Sequence, residues 1–517
     1  MPYAARRNHW NNHVERHGSA MPDQPAFRFR GRTTTWGLLR DRVRALADAF
    51  SRRGVRPGDR VAVLMGNRPE FVETVLAANR LGAVAVPLNF RLTGSEASYI
   101  LGDAGARLLV VDDLAAGLGR DTVALNAEPL VTVVVGGAGW EGTEDFEALI
   151  AEDGEPAPAV DVPEDTPALI MYTSGTTGRP KGAVLTHGSL LASAGGQRER
   201  QATGPDDVLV ATLPFNHVGG ITCTVLHALV AGASVAMLPA FSPAGALAAA
   251  EQHRATVLAG VPTMYVLMLA ELAKAPRDLS SIRIAVAGGS NVDPPLARAM
   301  AAALPGAHVE NLYGLSETSG ACVISAVDDD LATVCETLGT PLAGVEMRVV
   351  DPATGTEVPD GEDGELQVRA ASVAAGYWEM PAETAEAFAD GWLATGDMVS
   401  RRADGHLVLR GRRKEMFLQG GYNVYPVEVE NVLADHPEVA LAAGIGVPDD
   451  VLGEVGLYFV VPRNPDAPPT AQELTAWCRE RLADYKVPRR IEVRGELPTT
   501  PAGKIAKAQL RQEVVPS

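Results

Sequence analysis

The chain has 517 residues, 46% hydrophobic and 21% charged, the balance of a globular protein too long for one compact core, so at least two domains are expected. A formal net charge of −19 excludes a broad nucleic-acid-binding surface, which needs a basic face. No long uncharged apolar run occurs, and "MPYAARRNHW" has no apolar signal core, so neither a membrane span nor a secretory leader is expected and a cytoplasmic location is.

In chain order, "RVAVLM" (60–65) predicts a strand, and "EFVETVLAANRLG" predicts a helix with Phe71, Val72, Val75, Leu76 and Ala78 on one face. "AVAVPL" (83–88) reads as the next strand, and the rhythm recurs at "ARLLVVDD", "VLVATLP", "ASVAMLP", "ATVLAGVP" and "IRIAVAGG". Such alternation predicts an α/β fold of layered subdomains with largely parallel sheets. The Pro-rich "EDGEPAPAVDVPEDTP" (152–167) reads as an exposed connector leading to the buried strand "PALIMY". From about residue 345, "MRVVD", "GELQVRA" and "GHLVLRGR" are short strands split by Gly and Asp turns, predicting a β-rich subdomain over about 345–411. After "GRRKE" (411–415), the blocks "PVEVENVLADHPEVALAAGIGV" and "AQELTAWCRERLADYKVP" predict a small α+β domain. The expected division is a large N-terminal domain, 1–411, and a small mobile C-terminal one, 412–517. The four cysteines, Cys223, Cys322, Cys335 and Cys478, have no paired spacing and are expected as reduced thiols in or near the core.

One stretch has the look of a phosphate cradle. "MYTSGTTGRPKGA" (171–183) is crowded with Gly, Ser and Thr and ends in a Lys, yet it lacks the Gly, four residues, Gly-Lys-Ser/Thr order of a P-loop. Gly175, Gly178 and Gly182 allow backbone N–H groups to approach an anion, Ser174, Thr176 and Thr177 add hydroxyls, and Lys181 adds charge. Lys181 is one of only six lysines, with Lys274, Lys414, Lys486, Lys504 and Lys507, against 39 arginines. Such a bias either reserves lysine for places where a compact mobile charge matters or is merely compositional.

This loop resembles the Ser/Thr/Gly-rich loop of the adenylate-forming superfamily, which includes acyl-CoA synthetases, aryl-CoA ligases, luciferases and carrier-loading adenylation domains. The resemblance extends in order through "LPFNHVGG" (213–220), "NLYGLSET" (311–318), "GWLATGDM" (391–398), "RGRRKEMFLQGGYNVYPVEVE" (410–430) and "PTTPAGKI" (498–505), and so covers nearly the whole chain. Among these families the chain looks most like a stand-alone fatty acyl-CoA or aryl-CoA ligase. That resemblance implies a two-step reaction needing ATP, Mg²⁺ and coenzyme A. A carboxylic acid attacks the α-phosphate of ATP to give an acyl-adenylate and pyrophosphate, and CoA then displaces AMP.

The resemblance also implies residue roles. Thr173, Ser174, Gly175, Thr176, Thr177 and Lys181 would hold the β- and γ-phosphates. Tyr313 would lie against adenine, with Gly289, Ser290, Asn311 and Gly314 completing the nucleotide site. Ser316, standing where Thr is usual, would hydrogen-bond the α-phosphate. Glu317 would ligate Mg²⁺, a hard cation suited to oxygen donors; otherwise it is a helix-start acid. Asp397 would accept from the ribose hydroxyls, its plainer role being a turn residue. Arg412 would contact ribose or phosphate, Arg413 reads as a solvated charge, and Lys414 falls at the hinge. Lys504 would be catalytic, bridging carboxylate and α-phosphate, in a loop shaped by Pro501 and Gly503, while Lys507 reads as a helix-face charge. His217 is either a structural histidine or a gate between acyl pocket and thiol channel, and Gly421 would line the pantetheine path. Gly288, Thr318 and Ala321, with His217, would border the acyl pocket. The small residues Thr318 to Ala321 suggest a roomy pocket, so a medium- or long-chain fatty acid is expected first and an aryl or arylpropenoic acid second. The alternatives are transfer of the activated acid to a carrier protein in trans or another acceptor, or activation of an anion such as nitrite.

Overall fold

Strand Arg60–Leu64 turns Val61 and Val63 to one side and Ala62 and Leu64 to the other, the period-two pattern of a sheet covered on both faces. In the computed structural model, which describes residues 9–126, 130–137, 139–154, 159–173, 180–289, 292, 294–419, 422–449, 451–499 and 505–514, this strand is central to a seven-stranded sheet. The order there is Thr143–Asp145, Val131–Val135, Ala106–Asp112, Arg60–Leu64, Val84–Pro87, Pro167–Thr173 and Lys181–Thr186. All its pairs are parallel except the last.

A nine-stranded sheet runs from Thr340–Pro341 through Gly320–Ile324, His308–Leu315, Ile284–Gly288, Val257–Gly260, Val208–Ala211, Ser234–Met237 and Pro25–Phe29 to Arg32–Thr35. Its interior pairs are parallel and its edges antiparallel. One core cluster joins the inner faces of both sheets, with Val61 and Val110 from one and Leu209 and Val235 from the other. Separate clusters lie under the outer helices Gly94–Ala104 and Pro243–Gln252.

This layering alters two expectations. Helix Pro69–Arg80 is buried from Phe71 to Asn79, not along one stripe, because it is an interior layer with partners on every side. Even its polar Asn79 is used, accepting from Trp10 Nε1 at 2.6 Å. The Pro-rich connector is not simply exposed: Val160 N–H donates to Arg80 O at 2.9 Å, and Val162 is buried beside Gly82.

A four-stranded antiparallel sheet, Val345–Val350, Asp363–Ala370, Leu393–Arg401 and Leu407–Arg412, follows the two large sheets. The next sheet begins at Phe417–Gln419 and comprises Tyr422–Val424, Gly453–Pro462, Val439–Asp449 and Arg490–Val493. Cys223, Cys322 and Cys478 are buried and Cys335 is partly exposed, and none of the four is in a disulfide. Among the described residues no helix is long and apolar enough to cross a membrane.

Candidate active site

Four neighbouring strands of the nine-stranded sheet, Val208–Ala211, Val257–Gly260, Ile284–Gly288 and His308–Leu315, end on one edge. The carboxyl edge of a parallel sheet is where ligands bind in open α/β folds. It carries the segment containing His217, Gly288 with Gly289 (φ +80°), and the run Tyr313 to Glu317. Gly314 must be glycine there, since a Cβ would fall well inside contact distance of the Gly320 carbonyl across the antiparallel bulge.

The Gly-rich loop departs from strand–loop–helix P-loop architecture. Strands Pro167–Thr173 and Lys181–Thr186 pair antiparallel with Thr173 opposite Lys181, so a second strand, not a helix, follows the Gly-rich segment. Residues 374–378 dock on the second strand. Ala375 N–H donates to Val184 O at 2.9 Å, Val184 N–H to Gly376 O at 2.9 Å and Trp378 N–H to Gly182 O at 2.7 Å. This places the Tyr377 ring 5.3 Å from Lys181 Nζ, and the Tyr377 hydroxyl donates to Glu317 Oε1 at 2.8 Å. Burial, and then the Glu317 charge, push the Tyr377 phenol well above its ordinary pKa, so it remains a donor.

A second cluster forms around Asp397, which is 3% exposed. Strand register sets it opposite Arg412; Arg412 Nε lies 2.7 Å from Oδ1, and the Tyr313 hydroxyl donates to Oδ2 at 2.6 Å. Burial works against the Arg412 charge, but Asp397 together with Tyr313, Glu415 and Glu317 outweighs it and raises its pKa. Arg413 is not a free surface charge: it pairs at 3.0 Å with the buried Glu365, which also accepts from Gly396 N–H at 3.0 Å. Glu365 thereby ties the Thr-Gly-Asp turn to the segment before Lys414. Lys414 is exposed in the turn after Arg412, and partial burial, then the Arg412 charge, lower its pKa. Glu317 also acts on both Arg412 and Lys414, so the two clusters share one field.

Lys507 also differs from a plain helix-face charge. Its ammonium sits 2.8 Å from Glu430 and 2.9 Å from Glu415. Burial opposes its charge, yet the two carboxylates raise its pKa above the usual lysine range.

Thr173, Lys181, Tyr313, Gly314, Ser316, Glu317, Asp397 and Arg412 thus fall around one region, drawn from three sheets. Ser174, Gly175, Thr176, Thr177, Ser290, Gly421, Pro501, Gly503 and Lys504 lie outside the described residues. Other candidates have structural engagements. The buried Asn311 amide donates to Thr337 O at 3.0 Å. His217 Nδ1 accepts from Gly219 N–H at 3.1 Å, capping a short helix. Thr318 and Ala321 are fully buried, as is Ser319 between them at a left-handed φ of 57°. Thr318 Oγ1 accepts from Leu315 N–H at 2.8 Å and donates to Gly320 O at 2.7 Å, while Ser193 Oγ donates to Ala321 O at 3.0 Å. Their small size serves packing against helix His187–Gln201 and the π-helical stretch Ile221–Leu226, where a Cβ at Gly320 would meet Cys223 Sγ at 2.9 Å.

Sequence reading missed Tyr377, Glu365 and the Glu415–Lys507–Glu430 group. The signal for Tyr377 was a Tyr-Trp pair after a glycine in a chain with only 5% aromatic residues.

The donor set suits Mg²⁺. Among the described residues no three His, Cys, Asp or Glu side chains form a metal-sized cluster. Glu317, a carboxylate that shares Tyr377 with the Lys181 ammonium, fits a cation that takes most of its ligands from phosphate oxygens and water.

The AMP-binding enzyme family matches residues 14–378, and the AMP-binding enzyme C-terminal domain matches residues 428–504. The chain belongs to this family, the adenylate-forming enzymes. Feruloyl-CoA synthase of an Amycolatopsis species is 39% identical over 495 residues, 95% of this chain and 96% of that protein. Indoleacetate–CoA ligase of Aromatoleum aromaticum is 36% identical, over 97% of each. Among solved structures, an anthranilate CoA ligase in complex with anthranoyl-AMP superposes with a TM-score of 0.92 at 28% identity, covering 98% of this chain and 97% of that one.

Proposed function

We propose that this enzyme activates a ring-bearing carboxylic acid, aryl or arylpropenoic, in preference to a long-chain fatty acid. The enzyme is an AMP-forming acid–thiol ligase with ATP and coenzyme A as substrates. The observation that carries the choice of acid is the close packing of Thr318 to Ala321. A long acyl tunnel past these residues would need open space that helix His187–Gln201 and Cys223 fill. The similarity to ligases named for feruloyl, indoleacetate and anthranilate groups supports the same reading.

A carboxylate is a poor electrophile because its leaving group would be oxide. In the first step its oxygen attacks the α-phosphorus, an O–P bond forms, the bond to the β-phosphate bridging oxygen breaks, and pyrophosphate leaves. In the second, thiolate adds to the acyl carbon and the C–O bond to AMP breaks, the thiol proton going to solvent. Thr173 and Lys181, with Ser174, Gly175, Thr176 and Thr177, would grip the β- and γ-phosphates. Ser316 would donate to the α-phosphate, and Tyr313 would present its ring to adenine while its hydroxyl braces Asp397 for the ribose. Glu317 would hold Mg²⁺, which when bound neutralises phosphate charge. Lys504 would stabilise the charge passing between carboxylate and phosphate. Domains 1–411 and 412–517 would rotate about Lys414 between the steps, letting His217 and Gly421 border the thiol path.

A panel of benzoic, cinnamic, indolic and fatty acids, assayed for pyrophosphate release with and without CoA, tests this reading. Ring-bearing acids should give the highest kcat/KM and yield thioesters. Preference for fatty acids of ten or more carbons would refute the choice of acid. Pyrophosphate release with no thioester, and acyl transfer only to a carrier protein or amine, would refute CoA as acceptor.

A further inference from the structure

We propose that Tyr377 is a positioning residue that sets the Glu317 carboxylate and the Lys181 ammonium together, so that a divalent cation and the nucleotide phosphates are received in one geometry. The inference rests on the roles proposed above for Glu317 and Lys181.

One side chain makes two different contacts. Its hydroxyl donates to Glu317 Oε1 at 2.8 Å, and its ring lies 5.3 Å from Lys181 Nζ. The first engages one carboxylate oxygen and limits the rotamers the carboxylate can take. The second attracts the ammonium through the ring quadrupole and limits where a flexible lysine stem places its charge.

Tyr377 is itself held. Its N–H donates to Thr384 Oγ1 at 2.9 Å, and its ring meets Phe388 edge-on at 5.6 Å and 70°. Its backbone bridges to Ala183, two residues beyond Lys181, and Ala374 N–H donates to the Glu317 carbonyl at 2.8 Å. Segment 374–378 is therefore stitched to the backbone of Glu317 and, through Gly182, Ala183 and Val184, to the strand that begins at Lys181. Groups so pre-set need no reorganisation when ligand arrives.

The two contacts separate by mutation. Tyr377→Phe removes the hydroxyl and keeps the ring; Tyr377→Leu removes both. Mn²⁺ binding, read by electron paramagnetic resonance on the full chain saturated with α,β-methylene-ATP, reports on the carboxylate. Calorimetric binding of the same analogue in EDTA reports on the lysine. Tyr377→Phe should weaken Mn²⁺ about three- to tenfold, the loss of one hydrogen bond, with metal-free nucleotide affinity within about twofold of wild type. Tyr377→Leu should weaken both. Loss of melting temperature with both affinities unchanged, or equal weakening of both in Tyr377→Phe, overturns the proposal. Glu317→Gln separates the layers. If it keeps wild-type Mn²⁺ affinity, the metal role of Glu317 falls; if it loses Mn²⁺ while Tyr377→Phe does not, only the role of Tyr377 falls.

Discussion

Lys507→Met removes a cation held between two carboxylates. The ammonium lies 2.8 and 2.9 Å from Glu430 and Glu415, whose side chains are 13% and 33% exposed. Removing one partner of a buried ion pair costs about 3–5 kcal/mol because the remaining charge is stranded. Lys507 keeps one-fifth of its side-chain surface, so we take about 2–3 kcal/mol, with part of the pair still hydrated. The loss should appear in helix Lys507–Val514, where Leu510 N–H donates to Ala506 O at 3.2 Å, and at the base of the preceding loop, where Ala506 N–H donates to Pro498 O at 2.8 Å. Amide hydrogen exchange there should quicken by about 30- to 150-fold, the equivalent of that free energy. The triple variant Lys507→Met, Glu415→Gln, Glu430→Gln strands no charge and should recover most of the protection. A change of less than twofold in exchange at Ala506 and Leu510 in Lys507→Met, or a triple variant worse than the single one, would show that Lys507 does not hold this helix in place.

Other outcomes follow from buried groups. His9 and His187 stack at 3.9 Å, and burial holds their pKa values at about 4 and about 2. Below pH 6.5 the unfolded chain binds protons that the folded chain refuses, so stability is fully present above 6.5 and is lost as pH falls towards 4. Among the described residues neither ring nitrogen of His187 has a hydrogen-bond partner, so His187→Leu should keep neutral-pH melting and make the acid limb shallower by up to about 1.4 kcal/mol per pH unit; an unchanged limb between pH 4.5 and 6.5 contradicts this. Gly314→Ala forces a Cβ onto the Gly320 carbonyl and should destabilise by about 3 kcal/mol, an assignment that wild-type thermal stability would overturn. Tyr313→Phe deletes a hydrogen bond to the buried Asp397 carboxylate and should lower stability by about 2 kcal/mol and weaken AMP binding in calorimetry; wild-type values of both would remove Tyr313 from the Asp397 cluster.

The parallel strands were legible because each is a short apolar run between turn residues, as at Arg60–Leu64 and Ile284–Gly288. The all-round burial of Pro69–Arg80 was not. Apolar periodicity marks a helix with one wet face, and Glu73 and Asn79 obscure an interior helix whose polar groups are satisfied inside. Motif order made Asp397, Arg412, Glu317 and Lys181 visible as candidates. Their braces were not, because Tyr377 is 60 residues from Glu317 and Glu365 is 48 from Arg413, and no local spacing records such pairings. The smallness of Thr318 to Ala321 reads equally as an open pocket or as tight packing; only the positions of Ser193 and Cys223 distinguish them.

Activation of the acid joins its carboxylate to the α-phosphate of ATP. A ring-bearing acid carrying ¹⁸O in both carboxylate positions, turned over with ATP and CoA, tests it directly by mass spectrometry of the products. One labelled oxygen should appear in AMP and the other in the thioester carbonyl. Label in pyrophosphate or inorganic phosphate, or AMP without label, would contradict it.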